Sequence, residues 1–118
     1  MNATRRARLQ TVILEELATF LPRQVKDPRI PGSITVTQVE VAPDGSVAKI
    51  AVAIFGGSES EEQIKDCLTG LNSAAGFVRR HLAKILNIRY IPNLIFSYDK
   101  GLENSARVHE LLKQIEQK

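Results

Sequence analysis

Basic side chains in two clusters are the groups whose type and spacing could do chemistry, and that chemistry is the neutralisation of phosphate. One cluster comprises Arg5, Arg6, Arg8, Arg23, Lys26 and Arg29. The other comprises Arg79, Arg80, Lys84 and Arg89. The net charge of +3 is mild, but acidic residues gather elsewhere, between Glu59 and Asp66. Separated signs of charge favour a polyanionic partner more than an even mixture would.

The spacing of the second cluster places cations together on a predicted helix. Arg80 and Lys84 are one helical turn apart and lie opposite the apolar stripe of that helix, and Arg79 flanks the same face. The cluster directly follows Ala74-Ala75-Gly76, where small residues would let a phosphate backbone approach the main chain closely. An ordinary solvated helix face explains the same residues, so both interpretations stay open.

The first cluster is open to two interpretations as well. Arg5, Arg6 and Arg8 are either surface charges of a first helix or a second phosphate-contacting patch. Lys26 and Arg29 fall in a connector, where positioned charge is more often functional. Only 5% of residues are aromatic and none is Trp, which disfavours a stacking platform for single strands. We therefore expect recognition through backbone and shape.

Residues that could support catalysis or bind a metal are sparse. His81 and His109 fall on different predicted helices, and neither has a partner at zinc-ligand spacing. We interpret His81 as a solvated surface residue and Cys67, on an apolar stripe, as a core thiol. Gly56-Gly57 is too short for a phosphate loop. We expect no catalytic residue, no metal site and no cofactor.

A first helix and a β-hairpin are predicted in the N-terminal half. Apolar residues recur at three- and four-residue steps from Leu9 to Phe20, and Pro22 is predicted to end that helix. Runs rich in β-branched residues at 34–41 and 47–55 predict two strands. Turn residues around Asp44 predict a hairpin between them.

One apolar stripe keeps its phase through residues 61–87, which predicts a single helix with a capping box at Ser58 or Ser60. A straight helix of that length would measure about 40 Å. A domain of this size has a radius of gyration of about 13–14 Å. We therefore predict a kink, with Gly76 as the expected bend, and no long reversing loop.

A short third strand is predicted at 94–98, where Pro92 indicates an edge position. Asp99 is interpreted as a turn residue with a local backbone role, and a last helix is predicted from about Asn104. The order α-β-β-α-(kink)-α-β-α predicts one α+β domain over residues 1–118. We expect no signal peptide or membrane span, and a single cysteine fits a reducing cytoplasm.

The order and spacing of several stretches resemble the ribosome-binding factor A family. These are Asp27-Pro28-Arg29, Ile34–Val41, Asp44, Ala48-Lys49-Ile50, Ala74-Ala75-Gly76, Arg89 and Pro92–Asp99. The resemblance covers the chain from Arg5 to Leu112. It implies a type II KH-like domain: a three-stranded mixed sheet with helices on one face and a C-terminal helix. In that family an Ala-x-Gly kink, matched here by Ala74-Ala75-Gly76, replaces the Gly-x-x-Gly loop of ordinary KH domains.

The resemblance also implies a function. The chain would bind the immature 30S small ribosomal subunit, on 16S rRNA near its 5′-terminal helix and beside ribosomal proteins. It would aid late maturation, rRNA processing and adaptation to cold. It would act as a cytoplasmic monomer, prefer free 30S subunits to translating ribosomes, and be released by a GTPase.

The RNA-binding residues expected from cluster and resemblance together are Ala74, Ala75, Gly76, Arg79, Arg80, Lys84 and Arg89. A secondary basic patch comprises Arg5, Arg6, Arg8, Lys26 and Arg29. Two alternatives remain. A stand-alone KH-type reader of single-stranded RNA is disfavoured by the missing Gly-x-x-Gly loop. A protein-interaction module would dock a partner through a sheet edge or the acidic residues.

Overall fold

The helices and strands follow the predicted order through the kink. They are α1 (Ala3–Gln24), β1 (Ile34–Val41), β2 (Val47–Ile54), α2 (Glu61–Ser73), α3 (Ala75–Ile85) and β3 (Asn93–Tyr98). They come from a computed structural model that describes residues 2–31, 33–54 and 60–99. The predicted last helix, with His109, lies outside the described residues. Within those residues, no helix combines the length and the apolar character that crossing a bilayer requires.

Helix α1 extends beyond Pro22, so the prediction that the proline ends it is wrong by two residues. The helix ends at Gln24. Proline lacks only its own N–H, which would have bonded the carbonyl of Ala18 four residues earlier. The next turn still closes, because the Val25 N–H donates to the Leu21 carbonyl at 3.3 Å.

The three strands form a mixed sheet in the order β1-β2-β3, with β1 and β2 antiparallel and β2 and β3 parallel. The predicted hairpin turn is confirmed at Asp44, whose Oδ1 accepts from the Ser46 hydroxyl at 2.7 Å and the Ser46 N–H at 3.0 Å. These bonds lower the pKa of Asp44. Gly45 has a φ of 77°, which a glycine adopts without steric cost.

Helices cover one face of the sheet, as expected. The core combines fully buried strand residues with helix residues from α1, α2 and α3: Ile13, Leu17, Val41, Ala48, Ile50, Val52, Leu71, Val78 and Leu82. On the other face Glu40, Lys49 and Ile95 are exposed and lie in one row across the three strands. Strand β3 is an edge strand, as Pro92 indicated. Its open edge is covered by α2, where Asn72 Oδ1 accepts from the Phe96 N–H at 3.1 Å.

Asp99 has a long-range role, so the interpretation that its role is only local is wrong, while the rest of its predicted turn lies outside the described residues. The register between β1 and β2 shifts between Val36 and Gln38, which leaves Thr37 outside the ladder. The Thr37 hydroxyl therefore reaches the Asp99 carboxylate at 2.6 Å, and the Asp99 N–H donates to the Val52 carbonyl at 2.7 Å. Asp99 joins the end of β3 to both other strands.

Helices α2 and α3 meet at Ala74, and the predicted kink is confirmed in place of a loop. The Ala74 N–H donates to the carbonyls of Gly70 and Leu71 at 3.1 Å, and the Val78 N–H donates to the Ala74 carbonyl at 3.0 Å. The direction changes because Ala74 has a ψ of −1°, far from the roughly −42° of a helix. Gly76 is therefore not the bend. It lies in the first turn of α3, two residues later.

The start of α2 follows one of the two predicted caps. The Ser60 hydroxyl accepts from the Gln63 N–H at 3.1 Å, and the Gln63 side chain accepts from the Ser60 N–H at 2.8 Å. This reciprocal pair is a capping box. It sets where α2 begins, and hence which residues of its apolar stripe face the sheet. Cys67 lies on that stripe and is a buried core thiol, as predicted.

Candidate nucleic-acid interface

A cleft between the C-terminal half of α1 and helix α3 brings the exposed cations together. This α1–α3 cleft has a volume of about 550 Å³. It is lined by Glu16, Thr19, Phe20, Arg23, Gln24, Phe77, Arg80, His81 and Lys84. The part of the chain that the structure describes therefore brings three cations and one carboxylate to a single concave surface. Such an excess of positive charge in a cleft attracts anions.

Arg80 and Lys84 are both exposed and share this surface, as their helical spacing predicted. The two ion pairs found within residues 2–31, 33–54 and 60–99 involve neither of them. Their charge is thus not neutralised by the described part of the chain. Arg23 joins them from α1. Sequence reasoning placed Arg23 in the N-terminal cluster but not in the site, because nothing local indicates that α1 faces α3.

His81 is half-buried, so its interpretation as a solvated surface residue is wrong. Its ring stacks on Phe20, with centroids 3.9 Å apart and an angle of 11° between the planes. Its Nε2 lies 2.8 Å from Glu16 Oε1, and 25% of its side chain is exposed. The reason is that the side of α1 that carries Glu16 and Phe20 packs against α3. Glu16, the only carboxylate among the described residues that line the cleft, is consequently engaged with His81.

Arg79 is turned away from the cleft and is bonded to the main chain. Its Nη2 donates to the Ile91 carbonyl at 3.0 Å, and its Nε donates to the Pro92 carbonyl at 3.1 Å. The side chain is half-buried. These bonds hold the segment that leads into β3. The prediction that Arg79 contacts RNA therefore has a competing structural explanation.

The small residues at the kink differ in exposure. Ala74 and Ala75 are half-buried and pack against the core, whereas Gly76 is exposed. A Cβ added at Gly76 would meet no atom within 4 Å, and its φ is not positive. Among the described residues, neither packing nor conformation requires glycine here. The main chain at this point is open to a close partner. Phe77, which sequence reasoning missed, follows directly and lines the cleft.

Arg89 belongs to a different surface from Arg80 and Lys84. It lies with Arg5 in a hollow of about 290 Å³ at the hairpin end. Its guanidinium carbon is 5.4 Å from the ring centroid of Tyr90, which is 74% exposed. Arg6 is half-buried and Arg8 exposed on α1, and neither lines this hollow or the cleft. The expected residues thus divide between two surfaces.

The connector cations differ in how much of their charge is available. Arg29 forms a two-point ion pair with Asp27, with Nε–Oδ1 and Nη2–Oδ2 distances of 3.0 and 2.7 Å. Hydrogen bonds from the side chain and then the backbone of Arg29 lower the pKa of Asp27 to about 2. Lys26 is exposed. Arg29 is therefore a weaker candidate for phosphate binding than its position in a connector indicated.

The arrangement of charges in the cleft can bind an anion. Within residues 2–31, 33–54 and 60–99, no group of three or more His, Cys, Asp or Glu side chains is placed to hold a metal ion. The cleft instead combines exposed cations with aromatic rings, and the exposed main chain at Gly76 adjoins its lining residue Phe77. Those are the elements that proteins use to contact a nucleic-acid backbone and its bases.

Comparisons with known proteins point in the same direction. The family model described as "Ribosome-binding factor A" matches residues 5–112. A relative with that name from Thermomicrobium roseum is 42% identical over 117 residues, covering 99% of this chain and 88% of the relative. A second, from Brevibacillus brevis, is 40% identical over 98% of this chain and 92% of its own length.

Solved structures with similar folds carry the same description. The crystal structure of ribosome-binding factor A from Thermus thermophilus matches with a TM-score of 0.65 and 29% identity, over 79% of this chain and 94% of that chain. The solution structure of a putative ribosome binding factor A from Thermotoga maritima matches with a TM-score of 0.68 and 31% identity, over 82% and 89%. A Thermus thermophilus homology model fitted into a cryo-electron microscopy map of a complex with the 30S subunit matches with a TM-score of 0.57 and 29% identity, over 82% and 93%.

Proposed function

The chain belongs to the ribosome-binding factor A family, and on that premise we propose that it binds the 30S small ribosomal subunit through 16S rRNA. The α1–α3 cleft is the principal contact in this proposal. Arg5 and Arg89, with the other exposed basic residues of the N-terminal cluster, form a secondary one. The domain works by binding alone, without a cofactor and without catalysis.

One observation carries the proposal. The cations of the cleft, Arg23, Arg80 and Lys84, are exposed near the open main chain at Gly76, while Glu16, the single carboxylate that the described residues bring to the cleft, is engaged with His81. Cations left free by the described residues neutralise phosphates and release the counterions condensed on RNA. The Thermus thermophilus relative, fitted into a map of its complex with the 30S subunit, supports the identity of the partner.

The proposed mechanism is a shift of population. A folding rRNA helix has misfolded competitors, and a protein that binds one arrangement better favours it by its differential affinity. We place this action late in 30S maturation, near the 5′-terminal helix of 16S rRNA, where it would aid rRNA processing and matter most in the cold. Release of the protein would then require a change in the 30S surface that it contacts, and a GTPase could drive that change.

Co-sedimentation with purified ribosomal particles tests the partner directly. The full chain should pellet with free 30S subunits and should be absent from pellets of 50S subunits and of translating ribosomes. The reason for the second part is that a maturation factor must leave before translation. Equal pelleting with every particle would indicate nonspecific electrostatic binding, and no pelleting with 30S subunits would contradict the proposal.

Binding should also depend steeply on salt. Each neutralised phosphate contributes about −0.9 to the slope of log affinity against log salt, or less for single strands. The three cleft cations alone then predict a loss of about fortyfold between 50 and 200 mM salt. Co-sedimentation at four salt concentrations measures the slope. A flat response would instead favour the protein-interaction module, which would dock a partner through a sheet edge or the acidic residues.

Replacing Gly76 by alanine separates folding from binding at the kink. The added Cβ meets no neighbouring atom of the described residues within 4 Å and alanine favours helix over glycine, so the free energy of unfolding should stay equal or rise by about 0.5 kcal/mol. If a phosphate approaches the main chain here, the same methyl group should weaken 30S binding by about tenfold, the value of one charge-assisted contact. Urea denaturation and co-sedimentation measure the two effects. Unchanged affinity would show that RNA does not approach Gly76.

A further inference from the structure

The α1–α3 cleft contains aromatic rings as well as cations. Binding of phosphate by the cations does not account for the presence of these rings. Phe77 is a large apolar residue, yet 43% of it is exposed. Its ring centroid is 5.5 Å from that of Phe20, and Phe20 in turn stacks on His81. Three rings from two helices therefore meet in a cleft that is rimmed by Arg23, Arg80 and Lys84. Low aromatic content disfavours a platform for a tract of bases, but a single base needs only one ring.

The chemistry of the cleft fits a nucleotide better than an apolar ligand. Aromatic rings stack on any nucleobase, and the surrounding cations match the phosphates on either side of it. Glu16 is the single carboxylate among the described residues that line the cleft; its Oε1 lies 2.8 Å from His81 Nε2, and the three cations outnumber it. The volume of about 550 Å³ falls in the range of sites that hold a small organic molecule.

We propose that the α1–α3 cleft captures one unstacked base of 16S rRNA against the ring of Phe77, with Arg23, Arg80 and Lys84 on its flanking phosphates. This inference rests on the proposed function and adds a base contact to it. Cations on two different helices fit a continuous strand that crosses the cleft better than a free mononucleotide with all its charge at one end. The protein would then select rRNA conformations in which that base is already out of its stack.

Variants at Phe77 test the base contact apart from the phosphate contacts. Phe77→Leu keeps an apolar side chain but removes the ring, and it should lower 30S affinity by about fivefold to a hundredfold, the usual range for one stacked base. The slope against salt should not change, because no cation is lost. Phe77→Trp should stay within about threefold of wild type. Ile85→Ala is the matched control, since Ile85 is on the same helix and equally exposed, at 43%, but does not line the cleft.

The possible outcomes separate this inference from the function it rests on. Phe77→Leu binding like Ile85→Ala, while wild type still binds 30S subunits in a salt-dependent manner, overturns the base contact alone. Failure of wild type to bind overturns both. Thermal melts of each variant show whether loss of the Phe20 contact has unfolded the protein. If Phe77→Leu is unfolded, the folded Phe77→Trp variant is the test, because it retains a ring and should keep its affinity for 30S subunits.

A photocrosslink identifies what enters the cleft. Phe77→p-benzoylphenylalanine, bound to 30S subunits and irradiated, should give a product in 16S rRNA at one position. A crosslink only to a ribosomal protein would overturn the inference in favour of a side chain as the occupant. Excess adenosine monophosphate should not prevent the crosslink. If it does, the cleft is a site for free nucleotides and the rRNA assignment is wrong.

Discussion

Reversing two charges in the α1–α3 cleft, with Arg80→Glu and Lys84→Glu in one protein, should weaken binding to 30S subunits by about a thousandfold. Each cation lost from a phosphate contact removes a charge-assisted hydrogen bond worth about 1.5–3 kcal/mol, and the new carboxylates repel phosphate. Thermal stability should change little, because both side chains are exposed and neither is in an ion pair within the described residues. Co-sedimentation and thermal melts measure the two quantities.

The control for this variant must change the net charge equally. Lys49→Glu with Lys65→Glu does so, since both residues are exposed and neither lines the cleft. This control should lose far less affinity, because only long-range attraction is reduced. The neutral pair Arg80→Gln and Lys84→Gln should also lower the salt slope by about two. Equal losses in both charge-reversed proteins would mean that the cleft is not the contact surface.

Replacing Arg79 by glutamine should have the opposite profile, with a large loss of stability. The two bonds from its guanidinium to the carbonyls of Ile91 and Pro92 are half-buried, and removing them leaves those carbonyls without these donors. We expect the free energy of unfolding to fall by about 2–3 kcal/mol, and Tm by about 10 °C. Urea denaturation and calorimetry measure the change.

The neighbouring residue supplies the comparison for Arg79. Arg80→Gln removes the same charge one position along α3, but it should melt like wild type and weaken 30S binding. Arg79→Lys should recover part of the lost stability, since one ammonium group can reach one carbonyl but cannot bond both as the planar guanidinium does. If Arg79→Gln melts normally and loses binding, then Arg79 contacts RNA and the main-chain bonds are incidental.

The position of the kink shows why local reasoning came close but missed by two residues. The constant phase of the apolar stripe excluded a reversing loop, because Cys67, Leu71, Val78 and Leu82 must all reach one core. Glycine at position 76 then suggested the bend. The bend instead falls at Ala74, which needs only a ψ of −1°, a value open to any residue. The sequence therefore predicted that the helix over residues 61–87 is kinked, and packing against the sheet decided at which residue.

The residues of the cleft show a second limit. Arg80 and Lys84 could be assigned to one exposed face from their spacing within a helix. The sequence did not indicate that Arg23 and Phe77 line the same cleft. It also did not indicate that Arg79 and Arg89 lie outside that cleft. Those assignments depend on which element faces α3 and where the chain before β3 passes. Both are contacts between residues distant in sequence, such as His81 with Glu16.

By itself the sequence determined the order of the described helices and strands, the hairpin turn at Asp44, the cap at Ser60 as one of two candidates, and the exposed face that carries Arg80 and Lys84. It could do so because each depends on side chains a few residues apart, whose spacing already defines their geometry. Tertiary structure alone decided that α1 lies against α3, that His81 engages Glu16 between them, and that the described residues bring three rings and three cations into one cleft. Packing of the helices over one face of the sheet sets those distances, and periodicity within one element carries no information about its neighbour.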